Sequence, residues 1–333
     1  MGLDGINKIL CINFGGIGDE IFFLPTLISL KKEYPDAKID LVLEPRSAGI
    51  KTLTDIISEI IPVEVKGKHK YLELIKLVFK VYSRNYDMVV SSGGNKLISI
   101  LLFIMGIRVR CGYDTGILSR KLLTYAKTLN KKQYACAMYH DLVRDVTAYN
   151  TSLPEIKINR RDVIANSVLI HPGVSKMSIA KGCIKTIPAK TWAKVIDLLV
   201  AEGKKVILTG GPDDKECIDE ILQTVRTQNF ENLYGTTGSL KELAELISSA
   251  EKFLCSDSAP LHIAVALGIK TYAIFGPTDD SVLIPRNDNV IPIKANDNCG
   301  LKPCLWTRRQ TSCEKLDCLK INPSQIVGII TTK

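Results

Sequence analysis

Short apolar runs alternate along this chain with longer segments in which apolar positions recur every three or four residues. Lys8 to Phe14 (Ile9, Leu10, Ile12, Phe14) is such a run and ends in Gly15-Gly16-Ile17-Gly18-Asp19. It predicts a buried strand followed by a helix from about Glu20 to Glu33. Pro35-Asp36 then leads to a second strand, Lys38 to Leu43. The second half opens the same way, with Ser167 to Ile170 as a strand ending in His171-Pro172-Gly173. A helix over Ala189–Ala201, a strand over Lys205–Thr209 and the turn Gly210-Gly211-Pro212 follow. Helices are expected over Asp214–Arg226 and over Ser239–Ser248, where Leu240, Leu243, Ala244 and Ile247 keep helical spacing. Strand Lys252–Cys255, the turn Ser256-Asp257-Ser258-Ala259-Pro260-Leu261-His262, an apolar helix Ile263–Leu267 and strand Lys270–Phe275 come next, before Gly276-Pro277-Thr278.

Strands alternating with helices of this length predict βαβ units, hence an α/β protein with parallel sheets. The polar stretch Thr151 to Asp162, with Pro154 and Arg160-Arg161, reads as a linker between domains at 1–152 and 163–333. In such sheets ligands sit beyond the carboxyl ends of the strands. Every glycine turn named above falls at such an end, so the expected arrangement is two Rossmann-like domains facing a cleft.

Composition sharpens this only in places. A length of 333 residues suits two domains of roughly 150 residues each. The net charge of +9 is concentrated in residues 1–150, which carry 21 basic against 15 acidic residues. That favours an anionic partner for the first half. Nucleic-acid binding is not expected, since the basic residues lack interleaved aromatics or a known motif. The start, Met1-Gly2-Leu3-Asp4-Gly5, has no basic segment leading into an apolar one, so a cytoplasmic location is expected. The longest apolar run, Leu97 to Ile107, falls short of the ~20 residues that cross a bilayer. It reads as a buried helix, which leaves peripheral membrane contact as the only kind expected.

The ten cysteines read as reduced thiols, with Cys11 and Cys255 as small core hydrophobes. Cys299, Cys304, Cys313 and Cys318 cluster with four residues between each close pair. That is the ligand type for zinc or iron, but the spacing is looser than the C-x2-C of most structural zinc sites, and no metal is expected.

Two segments offer site chemistry at helix starts. Ser256 to His262 would present the unpaired N–H groups and positive dipole end that suit a phosphate, although Asp257 or Ser258 would equally serve as an ordinary N-cap. The Gly15–Asp19 turn fails the dinucleotide fingerprint, because the third glycine position is Ile21, and Glu44 is the only acid near the end of the second strand. It offers close backbone approach and a carboxylate, Asp19, suited either to a general base or to the helix dipole. Lys185 precedes the Pro188-initiated helix and is a candidate cation for a phosphate, with Lys176 and Lys181 as rivals. Asp213 and Asp214 are candidates for ribose hydroxyls or for a helix cap.

Taken in order, several segments resemble glycosyltransferase family nine, the heptosyltransferases of lipopolysaccharide core assembly and their relatives. These are Gly15–Asp19 with Leu24-Pro25, His171-Pro172-Gly173, Lys185…Pro188…Trp192, Gly210-Gly211-Pro212-Asp213, and Asp257–His262 with Phe275–Thr278. The resemblance spans about residues 7–327. It implies a GT-B fold and an inverting, metal-independent transfer, without a cofactor, from a nucleotide-diphospho-sugar, typically ADP-heptose, to an anionic glycolipid at the inner face of the inner membrane. The absence of any Asp-x-Asp agrees. It further implies Asp19 as catalytic base, Lys185 as donor-phosphate lysine, and Asp257, Ser258 and His262 in the donor-binding turn and helix. Gly15, Gly16, Gly18, His171 and Gly173 would line the cleft, with Ala259, Gly210, Gly211 and Asp213 at the donor. This chain departs from the family at Ala259, where glycine is usual, and in a longer segment between Gly173 and Lys185. The alternatives are a nucleotide-sugar-binding protein of the same fold that has lost transfer, and a nucleotide-dependent oxidoreductase.

Overall fold

The structure is a computed structural model that describes residues 3–180, 182–296, 299–305, 313 and 315–332. The chain divides into two compact units after Lys157. The first holds strands β1 (Lys8–Ile12), β2 (Lys38–Leu43), β3 (Ile57–Pro62), β4 (Met88–Ser91), β5 (Val109–Tyr113) and β6 (Tyr125–Lys127). Its helices are α1 (Ile17–Glu33), α2 (Lys70–Tyr82), α3 (Lys96–Ile104), α4 (Ile117–Leu122) and α5 (Ala135–His140). The second unit holds β7 (Ile164–His171), β8 (Lys205–Leu208), β9 (Glu231–Asn232), β10 (Ala250–Ser256), β11 (Lys270–Phe275) and β12 (Val290–Lys294). Its helices are α6 (Lys176–Ala180), α7 (Ala189–Ala201), α8 (Lys215–Thr224), α9 (Leu240–Ser248), α10 (Ala259–Leu267), α11 (Asp280–Leu283) and α12 (Pro323–Thr331).

All the strand pairs are parallel. The orders are β3-β2-β1-β4-β5-β6 and β12-β11-β10-β7-β8-β9, so each unit repeats the same doubly wound pattern from its own first strand. The order reverses beside β1 and β4 in one sheet and beside β7 and β10 in the other. Right-handed crossovers place helices on opposite faces either side of that reversal, which opens a crevice at the strand ends there. Sequence and burial agree with this. Leu10, Val89, Ile170 and Leu254 at the sheet centres are fully buried. The second core gathers Trp192 and Ile196 of α7, Ile218 of α8 and Ile326 of α12 on one sheet face.

Three expectations need correction, one being that the helix after β10 begins at Ala259 rather than Ile263, so Ala259 to His262 form its first turn. The first helix begins at Ile17 rather than about Glu20, which puts Gly18 inside its first turn rather than in a loop. The apolar run from Leu97 to Ile107 does form a helix, α3, but not a buried one. Only its inner stripe, Ser99 and Leu102, is buried, while Leu97, Phe103 and Ile104 are more than half exposed. A helix lying on a sheet presents one side to it, and an apolar composition all round does not change that geometry. Among the described residues no helix is long and apolar enough to cross a membrane.

Candidate active site

In the first unit the chain leaves β1 and turns at Gly15-Gly16 into α1. The Gly16 N–H donates to Asp19 Oδ2 at 2.8 Å, so the carboxylate folds back over the turn. A Cβ on Gly15 would lie 2.2 Å from Asp19 Cβ, which explains glycine there in terms of space. Tyr139 of α5 donates its hydroxyl to Asp19 Oδ1 at 3.1 Å, and its ring packs edge-on against Phe23 at 5.8 Å. Burial, reinforced by the Asp19 charge, holds the Tyr139 hydroxyl well above its ordinary pKa, so it remains a donor. Asn13 Nδ2 donates to the Asp19 carbonyl at 3.2 Å and is itself held by the Ser92 hydroxyl at 2.7 Å. Ser92 follows β4, so both strands at the order reversal contribute. Asp19 is partly exposed, while its neighbour Glu20 is only 1% exposed. Burial first, and the Asp19 carboxylate second, raise the Glu20 carboxyl well above its usual range.

The second unit assembles its candidates at the ends of β7, β8, β10 and β11. Lys185 Nζ lies 3.2 Å from Asp257 Oδ2, and the Thr278 hydroxyl donates to the same oxygen at 2.8 Å. Asp257 is 2% exposed. Burial opposes its charge, but Lys185, then His262, then the Thr278 hydroxyl outweigh it and hold the carboxyl below its ordinary value. Asp257 sits two residues before α10, so the Lys185 ammonium stands beside that helix's N-terminus. Ser258 is the N-cap residue, yet its side chain makes no cap bond; its hydroxyl turns back to the Ser256 carbonyl at 3.4 Å. Pro260 has no N–H and the Leu261 N–H donates to the Ser258 carbonyl at 3.0 Å, so the Ala259 N–H is the first-turn donor left without a side-chain cap, as at a helix start that takes an anion.

A second cluster surrounds Gly173. Asp214 Oδ2 accepts from the Gly211 N–H at 2.8 Å and lies 3.4 Å from His171 Nε2. A Cβ on Gly173 would come 1.7 Å from Asp214 Oδ1. Burial lowers the His171 pKa and favours the neutral ring. The Pro172 carbonyl accepts from Thr186 Oγ1 at 2.5 Å and from Ser256 Oγ at 2.9 Å, joining this cluster to the Lys185–Asp257 one. Trp192 Nε1 fixes Thr186 in turn at 3.0 Å. Asp213 is exposed and accepts the Lys176 N–H at 3.1 Å. A cavity of about 240 Å³ opens between Gly173, Lys176, Thr186, Asp213 and Cys217. Lys181, the other rival cation, lies outside the described residues.

The structure thus brings Gly15, Gly16, Gly18 and Asp19 together in one unit. In the other it assembles His171, Gly173, Lys185, Gly210, Gly211, Asp213, Asp257, Ser258, Ala259 and His262 at one sheet edge. Sequence reasoning missed Tyr139, Asn13 and Glu20, and placed Thr278 in the Phe275–Thr278 motif without giving it a role. Of these only Thr278 carried a signal, its place after Gly276-Pro277 at a strand end. Cys299, Cys304, Cys313 and Cys318 all line one cavity of about 670 Å³ beside Pro277. Burial raises the Cys304 thiol, with Cys299 and Cys313 adding to the effect. Among the described residues no three His, Cys, Asp or Glu side chains form a metal-ligand group.

Two doubly wound parallel sheets with glycine turns at their order reversals are the architecture of the GT-B fold. The model of glycosyltransferase family 9 (heptosyltransferase) matches residues 74–314, and the chain belongs to that family. It is a glycosyltransferase of heptosyltransferase type. Lipopolysaccharide heptosyltransferase 3 of Escherichia coli is 29% identical over 301 residues, covering 84% of this chain and 86% of that protein. The fold is shared with the E. coli ADP-heptose lps heptosyltransferase II, at a TM-score of 0.73, 21% identity and 97% of both chains. It is shared also with the E. coli heptosyltransferase WaaC solved with ADP, at a TM-score of 0.71 and 18% identity over 97% of this chain and 98% of that one. Asp19 lies ahead of the matched span.

Proposed function

We propose that the protein is an inverting, metal-independent transferase that moves heptose from ADP-heptose to a lipopolysaccharide-core or related anionic glycolipid. In this reading the second unit binds the donor and the first the acceptor. The observation that carries it is the coincidence of the Lys185 ammonium with the uncapped start of α10, two positive features at one point. A diphosphate leaving group gains negative charge as its bond to the sugar breaks, and preorganised positive groups stabilise that charge most when it is fully developed. They would supply what a divalent cation supplies in other transferases. Asp257, itself held by the Thr278 hydroxyl, keeps the ammonium in place.

Inversion in a single displacement needs one base on the acceptor side. Asp19 uses one lone pair of Oδ1 for Tyr139 and retains another to receive the proton of the acceptor hydroxyl. The anomeric carbon becomes oxocarbenium-like as the acceptor oxygen approaches and the diphosphate departs. The heptosyl and ADP components are supported by the names of the E. coli relatives alone. The basic first half suits an anionic acceptor and a peripheral place at the inner membrane face.

The test is transfer from a panel of nucleotide-sugars to a glycolipid extract, with and without EDTA. ADP-heptose is expected to be the best donor, with turnover unchanged by EDTA. Abolition by EDTA with rescue by Mg2+ would refute metal independence, and preference for another donor would refute the heptosyl assignment.

A further inference from the structure

Helix α2 is apolar on two sides, and only one of them serves the fold. Leu77 and Val81 are buried against the first sheet. Tyr71, Leu72, Ile75, Phe79 and Tyr82 face water, with exposures from 51% to 74%. At 100° per residue these five positions fall within an arc of about 100°, a continuous stripe along the outer side of the helix. Lys76 and Lys80 lie beyond one edge of that arc, the buried side of the helix beyond the other, and Lys66 and Lys68 stand exposed in the segment that feeds the helix. The stripe does not stand alone. α2, α3 and α4 pack on the same face of the sheet, and of the seventeen large apolar side chains exposed among the described residues, ten belong to these three helices. The same helices carry six Lys or Arg against one acid, Glu73, which pairs with Lys76 at 2.7 Å; from neighbouring elements Asp114 pairs with Arg120 at 2.6 Å and Glu59 lies 3.8 Å from Lys80, so the face keeps a net positive charge.

We propose that this face docks on an anionic phospholipid bilayer, with the outer side of α2 lying in the headgroup layer. An aromatic and aliphatic stripe bordered by lysines has the composition of an interfacial helix: the rings and aliphatic chains enter the acyl boundary while the ammonium groups meet lipid phosphates. A second copy of the chain is the poorer occupant, since an antiparallel two-fold pairing of the stripes would set the two lysine borders against each other. The six strands are parallel, so the segment before α2 and the Asp19 turn lie at the same edge of the sheet. Docking there holds the acceptor-binding unit against the surface from which a lipid-borne acceptor protrudes. That purpose rests on the proposed function, whereas the docking itself does not.

Flotation of the full-length protein with vesicles, in the absence of donor and acceptor, tests the surface alone. The wild type is expected to float with vesicles containing phosphatidylglycerol and to stay behind with pure phosphatidylcholine. Ile75→Asp with Phe79→Asp should lower the floated fraction about tenfold. Lys76→Glu with Lys80→Glu should lower it several-fold and remove the preference for anionic lipid. These positions are exposed, so circular dichroism and transfer to a delipidated, water-soluble acceptor should match the wild type. Ile75→Ser with Phe79→Ser repeats the test with neutral residues. Wild type that remains unbound to phosphatidylglycerol vesicles would overturn the proposal, as would variants that float like wild type. So would a dimer dissolved by Phe79→Asp in place of vesicle binding, which would give the face to a second copy. Failure of the transferase reading would appear in the soluble-acceptor assay and leave flotation unaffected.

Discussion

At the scale of single residues, the site is built from carboxylates whose surroundings differ sharply. Asp257 is held ionised by Lys185, so its contribution to stability is complete above the ordinary aspartate range, about pH 3.9, and is lost as pH falls through its lower native value. Asp257→Asn should therefore cost about 3–5 kcal/mol at pH 7, because it leaves Lys185 without its counter-charge, and less at pH 2. Urea unfolding at the two pH values measures the difference. Glu20 has the opposite sign. Its raised pKa means that it resists ionisation in the fold, so it weighs against stability increasingly as pH rises through and beyond the ordinary glutamate range. Glu20→Gln should raise Tm at pH 8 and leave it unchanged near pH 3. Gly173 is fixed by space rather than by backbone angle, since a methyl group would strike Asp214. Gly173→Ala is expected to cost about 1–3 kcal/mol and to weaken ADP binding, read by thermal shift and calorimetry.

At the scale of elements, the legible parts of the fold were those whose chemistry is local. β1 and the C-terminal halves of β7 and β10 are apolar runs ended by glycine or Asp-Ser turns, and sequence reasoning placed each of them. The strands β3 to β6 were not read. β3 is half exposed with a burial pattern that does not alternate, and β6 has only three partly exposed residues. Pairing in a sheet, rather than any pattern within the segment, makes β3 and β6 strands, whereas β4 is a short, fully buried apolar run. The start of α1 was misplaced because Gly16-Ile17-Gly18 looks like a loop until the Asp19 carboxylate is seen to bond Gly16. Tyr139 was invisible for a different reason: it lies 120 residues from Asp19 and meets it only where α5 packs on α1. The end of α10 was readable in kind, as Gly268 takes the left-handed conformation at φ 69° that closes the helix. Gly268→Ala should cost about 1–2 kcal/mol without altering the uncapped end that faces the proposed donor.

At the scale of the whole molecule, two units with the same strand order carry different chemistry at the same topological point. One offers a carboxylate and a tyrosine, the other a cation and a helix start. Family membership and architecture follow from the ordered motifs and the sheets, whereas the division of labour between the units is the proposal that remains to be measured. ADP at a hundred times its dissociation constant should stabilise the protein by about 2.7 kcal/mol. Amide protection from it is expected at the Pro172-Gly173 turn and at residues 257–261, not at the Asp19 turn. The central claim is that Asp19 takes the proton of the acceptor while the second unit alone holds the donor. Single-turnover transfer by Asp19→Asn, measured beside its calorimetric affinity for ADP-heptose, addresses it most directly. Transfer is expected to fall by roughly 10²–10⁴-fold with donor affinity unchanged. Transfer at the wild-type rate, or a loss explained entirely by weaker donor binding, would contradict it.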